Sequence, residues 1–218
     1  MINTNISIIY IDDKMDLFLS QYLSEEFENK AIPYPYTCSN FEGELHIRTK
    51  YNEHIYNPED SYSVLFSNQE IKSADVILAD HRLYTDNHNN SHKFSGSQFY
   101  VMSKLLLPQT EVLVITQETS RDGELIIRKY EARNASIEQA KKYYNEELHP
   151  KLLSAIYKVI ENRVIGSEIN NNNEVEEVFN QRIQQMLSGD TTYSELSASD
   201  ANSLVQTFQD IKKILYHE

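Results

Sequence analysis

Three short apolar runs punctuate the first half of the chain, and each ends in a residue with chemistry to offer. Ile6-Ser-Ile-Ile-Tyr-Ile11 runs into Asp12-Asp13, Ala74-Asp-Val-Ile-Leu-Ala79 into Asp80, and Glu111-Val-Leu-Val-Ile115 into Thr116. Near-continuous β-branched runs of this length predict strands covered on both faces, the pattern of a parallel sheet. Between them the period changes. Met15, Phe18, Leu19, Tyr22, Leu23 and Phe27 recur at three- and four-residue spacing and predict a helix over 14–28. The stretch opened by Gly96 predicts a second helix, closed by Pro108. Alternation of strand and helix sets the expected class over residues 1–135 as α/β, with a doubly wound, mostly parallel sheet.

Residues 30–73 are longer than one strand–helix unit needs. Glu44 to Tyr51 alternates, with Leu45, Ile47, Thr49 and Tyr51 on one face. This predicts a half-exposed strand in an inserted hairpin over about 38–62, read as a surface insertion. From 136 to 218 the pattern is all-α. A helical stretch over 137–148 breaks at His149-Pro150 and resumes through Leu152, Leu153, Ile156, Tyr157 and Ile160. A linker is expected near 166–173, from Gly166 and the asparagine run. Beyond it, Val175 to Leu187 and Ala201 to Leu215 form two amphipathic patterns, and Asn173 with Glu176 resembles a capping box. These two helices are expected to pack on the α/β core or on a second copy of the chain.

Composition narrows the function. The chain has 218 residues, 40% of them hydrophobic, which excludes global disorder, and a net charge of −13. Residues 168–218 hold nine acids against three bases, so neither extension helix has a basic face and nucleic-acid binding is not expected. Five glycines leave no G-x-G-x-x-G and no G-x-x-x-x-G-K-[ST] nucleotide loop. The lone Cys38 makes no intrachain disulfide and no thiolate zinc site, which points to a reducing compartment. No apolar run approaches the ~18 residues of a spanning helix, and the N-terminus lacks a signal-peptide pattern. The expectation is a cytoplasmic protein with no membrane partner.

In a parallel α/β sheet, ligands bind outside the carboxyl ends of the strands. Asp12, Asp13, Asp80 and Thr116 all lie at such ends, so the sheet itself would gather them. Three carboxylates in one crevice repel each other unless a cation sits among them, and hard oxygen donors without a Cys or His pair point to Mg²⁺. Each residue has a plainer reading as well. Asp12 and Asp13 would suit a helix N-cap and first turn, Asp80 a turn cap, and Thr116 any strand. His81, His88, His92 and Asp86 crowd the segment around 84–95, but their spacing matches no fixed ligand geometry, and a solvated loop is expected there.

The first 135 residues resemble a response-regulator receiver domain. An acidic pair follows the first strand (Ile-Tyr-Ile-Asp12-Asp13-Lys14), an acceptor-like aspartate follows Val-Ile-Leu-Ala (Asp80-His-Arg-Leu), and a switch-like Thr116 follows Val-Leu-Val-Ile. Lys129, in Leu-Ile-Ile-Arg128-Lys129-Tyr, matches the family's lysine after the last strand. The resemblance implies a flavodoxin-like fold in which Asp80 accepts a phosphoryl group from a histidine kinase or phosphotransfer protein. It further implies Mg²⁺ held by Asp13, Asp80 and the Arg82 backbone carbonyl, with Asp12 ligating through water. Lys129 would contact the phosphoryl group and Thr116 would swing in to donate a hydrogen bond.

The match has a conspicuous departure. Only Gln117 to Glu124 separate Thr116 from Leu125, whereas a parallel crossover takes about a dozen residues. Asp122-Gly123 reads as a tight turn, so Leu125 to Ile127 are expected to fold back antiparallel, with Arg128 or Lys14 as substitutes if Lys129 falls short. The reading is an atypical, non-enzymatic receiver that signals through protein contacts, with a homodimer through the C-terminal helices. The alternative is a phosphorylation-independent interaction module. A Mg²⁺-dependent phosphohydrolase is disfavoured, because Asp12-Asp13-Lys14 lacks the D-x-D of haloacid-dehalogenase-type enzymes.

Overall fold

The computed structural model describes residues 3–38, 41–58, 60, 62–83, 95–118, 126–131 and 136–171. Six strands form one mixed, mostly parallel sheet in the order β2-β3-β1-β4-β5-β6. They are β1 (Asn5–Asp12), β2 (Ala31–Cys38), β3 (Phe41–Ile55), β4 (Val76–Asp80), β5 (Glu111–Thr116) and β6 (Ile126–Arg128). The helices are α1 (Leu17–Phe27), α2 (Tyr62–Ser67), α3 (Gln69–Lys72), α4 (Gly96–Leu106), α5 (Ile137–Glu147) and α6 (His149–Asn171).

The period-2 alternation of the central strands sorts their side chains onto two faces. Ile8, Tyr10, Leu78, Leu113 and Ile115 point one way, into a buried cluster with Leu19, Leu23 and Phe27 of α1, Tyr144 of α5 and Ile156 of α6. Ile9, Ile11, Ile77, Ala79 and Val112 point the other way, toward Leu65, Ile71, Phe99, Met102 and Leu106 of α2, α3 and α4. That two-sided burial is why β1, β4 and β5 carry near-continuous apolar runs.

Two expectations are corrected. The strand over 44–51 does lie in a hairpin, β2 against β3, but not in a surface insertion: from Arg48 to Ile55 β3 also pairs parallel with β1 inside the sheet. It alternates because Ile47, Thr49 and Tyr51 are buried toward α1 while Arg48 and Lys50 are exposed. The extra length before β4 supplies an antiparallel edge strand, β2, whose Pro33 and Pro35 lack N–H groups and so blunt the open edge. The second correction concerns β6, which pairs parallel, not antiparallel, with β5 through Val114↔Ile126, Ile115↔Ile127 and Thr116↔Arg128. A return in nine residues suffices because β6 has only three residues, paired against the carboxyl end of β5. The Asp122-Gly123 turn lies outside the described residues.

Helix boundaries follow local chemistry. The N-cap of α1 is Asp16, whose carboxylate accepts from Leu19 N (2.9 Å), so Asp12 and Asp13 do not cap it. Capping boxes open α4 (Ser95, Gln98) and α5 (Ser136, Gln139). Gly166, expected in a linker, lies within α6. This helix straps the amino ends of the strands: Lys151 Nζ donates to Ile126 O, Lys158 pairs with Glu111, and Arg163 reaches Asn3 O, Asn5 O and buried Asp75. The amphipathic patterns beyond 173, the Asn173–Glu176 box and most of the 84–95 segment lie outside the described residues. Among the described residues, no helix is long and apolar enough to cross a membrane.

Candidate functional site

Register assembles the site at the carboxyl end of the sheet. Ile11 pairs with Ala79, so Asp12 and Asp80, each one residue further on, stand abreast on neighbouring strands. Asp80 pairs with Ile115, and Thr116 pairs with Arg128, which brings Lys129 alongside from the far strand. Because alternate residues share a face, Tyr10, Asp12, Asp80 and Lys129 continue the face of Ile8, Leu78 and Ile127. Lys129 is also tied by its backbone, donating from N to Thr116 O at 2.8 Å.

The Lys129 ammonium bridges both carboxylates, lying 2.7 Å from Asp12 Oδ2 and 2.7 Å from Asp80 Oδ1. All three side chains are buried. Asp12 Oδ2 also accepts from the Tyr10 hydroxyl, and Asp12 Oδ1 from Lys14 N (3.1 Å). Asp80 Oδ2 accepts from Arg82 N at 2.7 Å. Two carboxylates thus share one ammonium, leaving the trio with a net negative charge.

Electrostatics reflect that imbalance. Burial lifts the Asp80 carboxyl to about 6; the neighbouring Asp12 charge adds to the rise, and Lys129 and the Arg82 N–H only partly offset it. Burial also pulls on the Lys129 ammonium, downward, but the charges and hydrogen bonds of Asp80 and Asp12 together outweigh it and hold the group above its ordinary value. The Tyr10 phenol is driven far upward, first by burial and then by Asp12, so it is a permanent hydrogen-bond donor.

The other predicted residues have surroundings of their own. Asp13 follows Asp12 in the chain and is partly exposed. Thr116 is buried, and its hydroxyl accepts from Glu118 N at 3.0 Å. The Arg82 guanidinium pairs with Glu118 (3.1 Å), tying the loop after β4 to the loop after β5. Lys14 contributes its backbone N–H, and the Arg128 carbonyl accepts from the Tyr143 hydroxyl, so the bridging cation is Lys129. His81 is buried with Nδ1 3.3 Å from Ser97 Oγ, while His88, His92 and Asp86 lie outside the described residues.

Two participants, Tyr10 and Glu118, have roles the sequence reading does not assign, and a third, Gly96, has one beyond opening a helix. Tyr10 was legible in principle: it is the one phenol in an aliphatic strand, two residues before Asp12 and therefore on the same face. Glu118 carried no such signal. Gly96 opens α4 as expected, but its further role is spatial: a Cβ there would lie 2.4 Å from the Asp80 carbonyl oxygen, so only glycine lets α4 start against the end of β4.

Asp12 and Asp80 are the carboxylates that could hold the expected divalent cation. Among the described residues no three His, Cys, Asp or Glu side chains gather as a metal cage. Mg²⁺ does not need one: it binds through one or two carboxylates, keeping water or phosphate oxygens on its other positions. Asp12 and Asp80 already converge on one small cation, the Lys129 ammonium. No protein-family model, no curated protein and no solved structure matches the chain.

Proposed function

We propose that the chain is an atypical response-regulator receiver. In this reading Asp80 accepts a phosphoryl group from the phosphohistidine of a histidine kinase or phosphotransfer protein, in the cytoplasm, and signals through protein contacts. The observation that supports it most is the Lys129 bridge between Asp12 and Asp80, because it joins three residues that the resemblance selects at the carboxyl ends of three separate strands. With edge strand β2 set aside, the order β3-β1-β4-β5-β6 corresponds to the 2-1-3-4-5 order of doubly wound flavodoxin-like sheets, with helices on both faces.

The residues suit the chemistry. With its carboxyl raised only to about 6, Asp80 is mostly ionised at neutral pH and stays a competent nucleophile. Its oxygen forms a bond to phosphorus as the P–N bond to the donor imidazole breaks, and the leaving imidazole nitrogen takes a proton from solvent. Lys129 stays within reach of the new phosphoryl oxygens and offsets their charge. Asp12, Asp13, Asp80 and the Arg82 carbonyl are the groups that would hold Mg²⁺, which would supply charge neutralisation at the transferred group. For Thr116 to donate to that group, its hydroxyl must turn from Glu118 N. That movement would loosen the Arg82–Glu118 tie and present a changed surface to a partner, with the C-terminal helices as a dimer contact.

The test is intact-mass analysis after incubation with acetyl phosphate and Mg²⁺. The proposal expects wild type to gain one phosphoryl group and Asp80→Asn none; no gain in wild type, or equal gain in both, would overturn it. A second reading, a phosphorylation-independent interaction module, is favoured by the nine residues between β5 and β6, too few for a full crossover helix. It expects partner binding to survive Asp80→Asn unchanged.

A further inference from the structure

Tyr10 has a role that neither the fold nor the phosphoacceptor reading requires. It sits on β1 with no exposed surface, among Ile6, Ile8, Leu19 and Leu23. A Phe ring would fill nearly the same space. The hydroxyl is a polar group carried into an apolar core, a cost that only a hydrogen bond offsets. Its partner is Asp12 Oδ2, the same oxygen that Lys129 Nζ contacts at 2.7 Å. Two donors converge on that oxygen, and Lys14 N occupies Oδ1. Three of the roughly four acceptor directions of a carboxylate are thus taken by the protein itself.

We infer that Tyr10 is a positioning residue that sets the divalent-cation concentration at which the site loads. The inference rests on the receiver reading, in which Asp12 and Asp80 hold the cation. The hydroxyl fixes the Asp12 carboxylate against Lys129, which makes the metal-free arrangement self-sufficient. It also withdraws electron density from the oxygen that faces the site. A divalent ion gains more from the return of that density than the monovalent ammonium does, so the Tyr10 hydroxyl holds affinity down. A purely structural tyrosine would act in the opposite sense, because its loss would loosen Asp12 and weaken binding.

The experiment is calorimetric titration of MgCl₂ into the full chain as wild type, Tyr10→Phe and Asp80→Asn, with urea unfolding as a check that each variant folds. Asp80→Asn reports binding to the other carboxylates and is subtracted. The expected result is saturable binding to wild type and binding to Tyr10→Phe roughly three- to tenfold tighter, the scale of one ordinary net hydrogen bond. Binding to Tyr10→Phe alone would support the same role in stronger form. Equal or weaker binding by a folded Tyr10→Phe overturns the inference and leaves the cation reading standing. No binding above Asp80→Asn in either protein removes both.

Discussion

Lys129 Nζ meets Asp12 Oδ2 at 2.7 Å across 117 residues of sequence, and the same ammonium lies 2.7 Å from Asp80 Oδ1. The contact closes the carboxyl edge of the sheet, joining β1, β4 and the segment after β6. Without it the two buried carboxylates would have no ionic partner between them among the described residues.

Lys129→Met tests that joint. Removing one member of a buried ionic group typically costs about 3–5 kcal/mol, because the charges left behind have lost their partner. The loss should be largest near pH 8 and shrink toward pH 5, where Asp80 takes up a proton. Urea unfolding at the two pH values checks it; an equal loss at both would contradict the account.

Asp80 gives stability a defined pH slope. Its native pKa of about 6 lies above the ordinary carboxylate value near 4, so the folded state binds the proton more tightly. Its contribution is fully present below about pH 4 and is lost as pH rises toward 6. Asp80→Asn should flatten that segment of the stability curve and raise stability at pH 7.5 by about 1–3 kcal/mol. Chemical denaturation across pH 4–8 measures both effects.

Gly96→Ala should be costly despite its small size. The added methyl would meet the Asp80 carbonyl at 2.4 Å, a backbone atom that cannot rotate aside. A loss of about 1–3 kcal/mol is expected, the usual range for overpacking. Shifted amide resonances at Asp80 and His81 should accompany it.

The opposite edge of the sheet makes an independent prediction. Arg163 on α6 pairs with Asp75, whose other oxygen accepts from Ser7 N at 2.9 Å. Arg163→Met should cost about 3–5 kcal/mol by stranding the Asp75 carboxylate, and Asp75→Asn in the same chain should restore part of it. Amide exchange in α6 reports the loss. The acidic site, at the far ends of the strands, should be unaffected.

Much of this arrangement could be read from residue order, for reasons the structure makes plain. Strands buried on both faces write continuous apolar runs, so β1, β4 and β5 stood out, and Asp12, Asp80 and Thr116 were visible as their terminal residues. Strand β3 was misplaced because only one of its faces is covered, and an alternating pattern does not reveal which neighbour a strand pairs with. The direction of β6 is not legible from connection length, because a three-residue strand returns parallel without a full crossover helix. Tyr10 does not stand out in the sequence, because aromatic residues in strands ordinarily signal packing alone. Its hydroxyl matters only once β1 is set beside β4 and Asp12 turns to the same face.

Thermal unfolding with Mg²⁺ and beryllofluoride, an aspartyl-phosphate mimic, tests the phosphoacceptor reading most directly, on wild type and Asp80→Asn. A ligand bound only by the folded state at a hundredfold excess over its Kd adds about 2.7 kcal/mol, roughly 5–10 °C for a chain of this size. The account predicts that rise in wild type and its absence in Asp80→Asn. No rise in wild type, or the same rise in both, would contradict it.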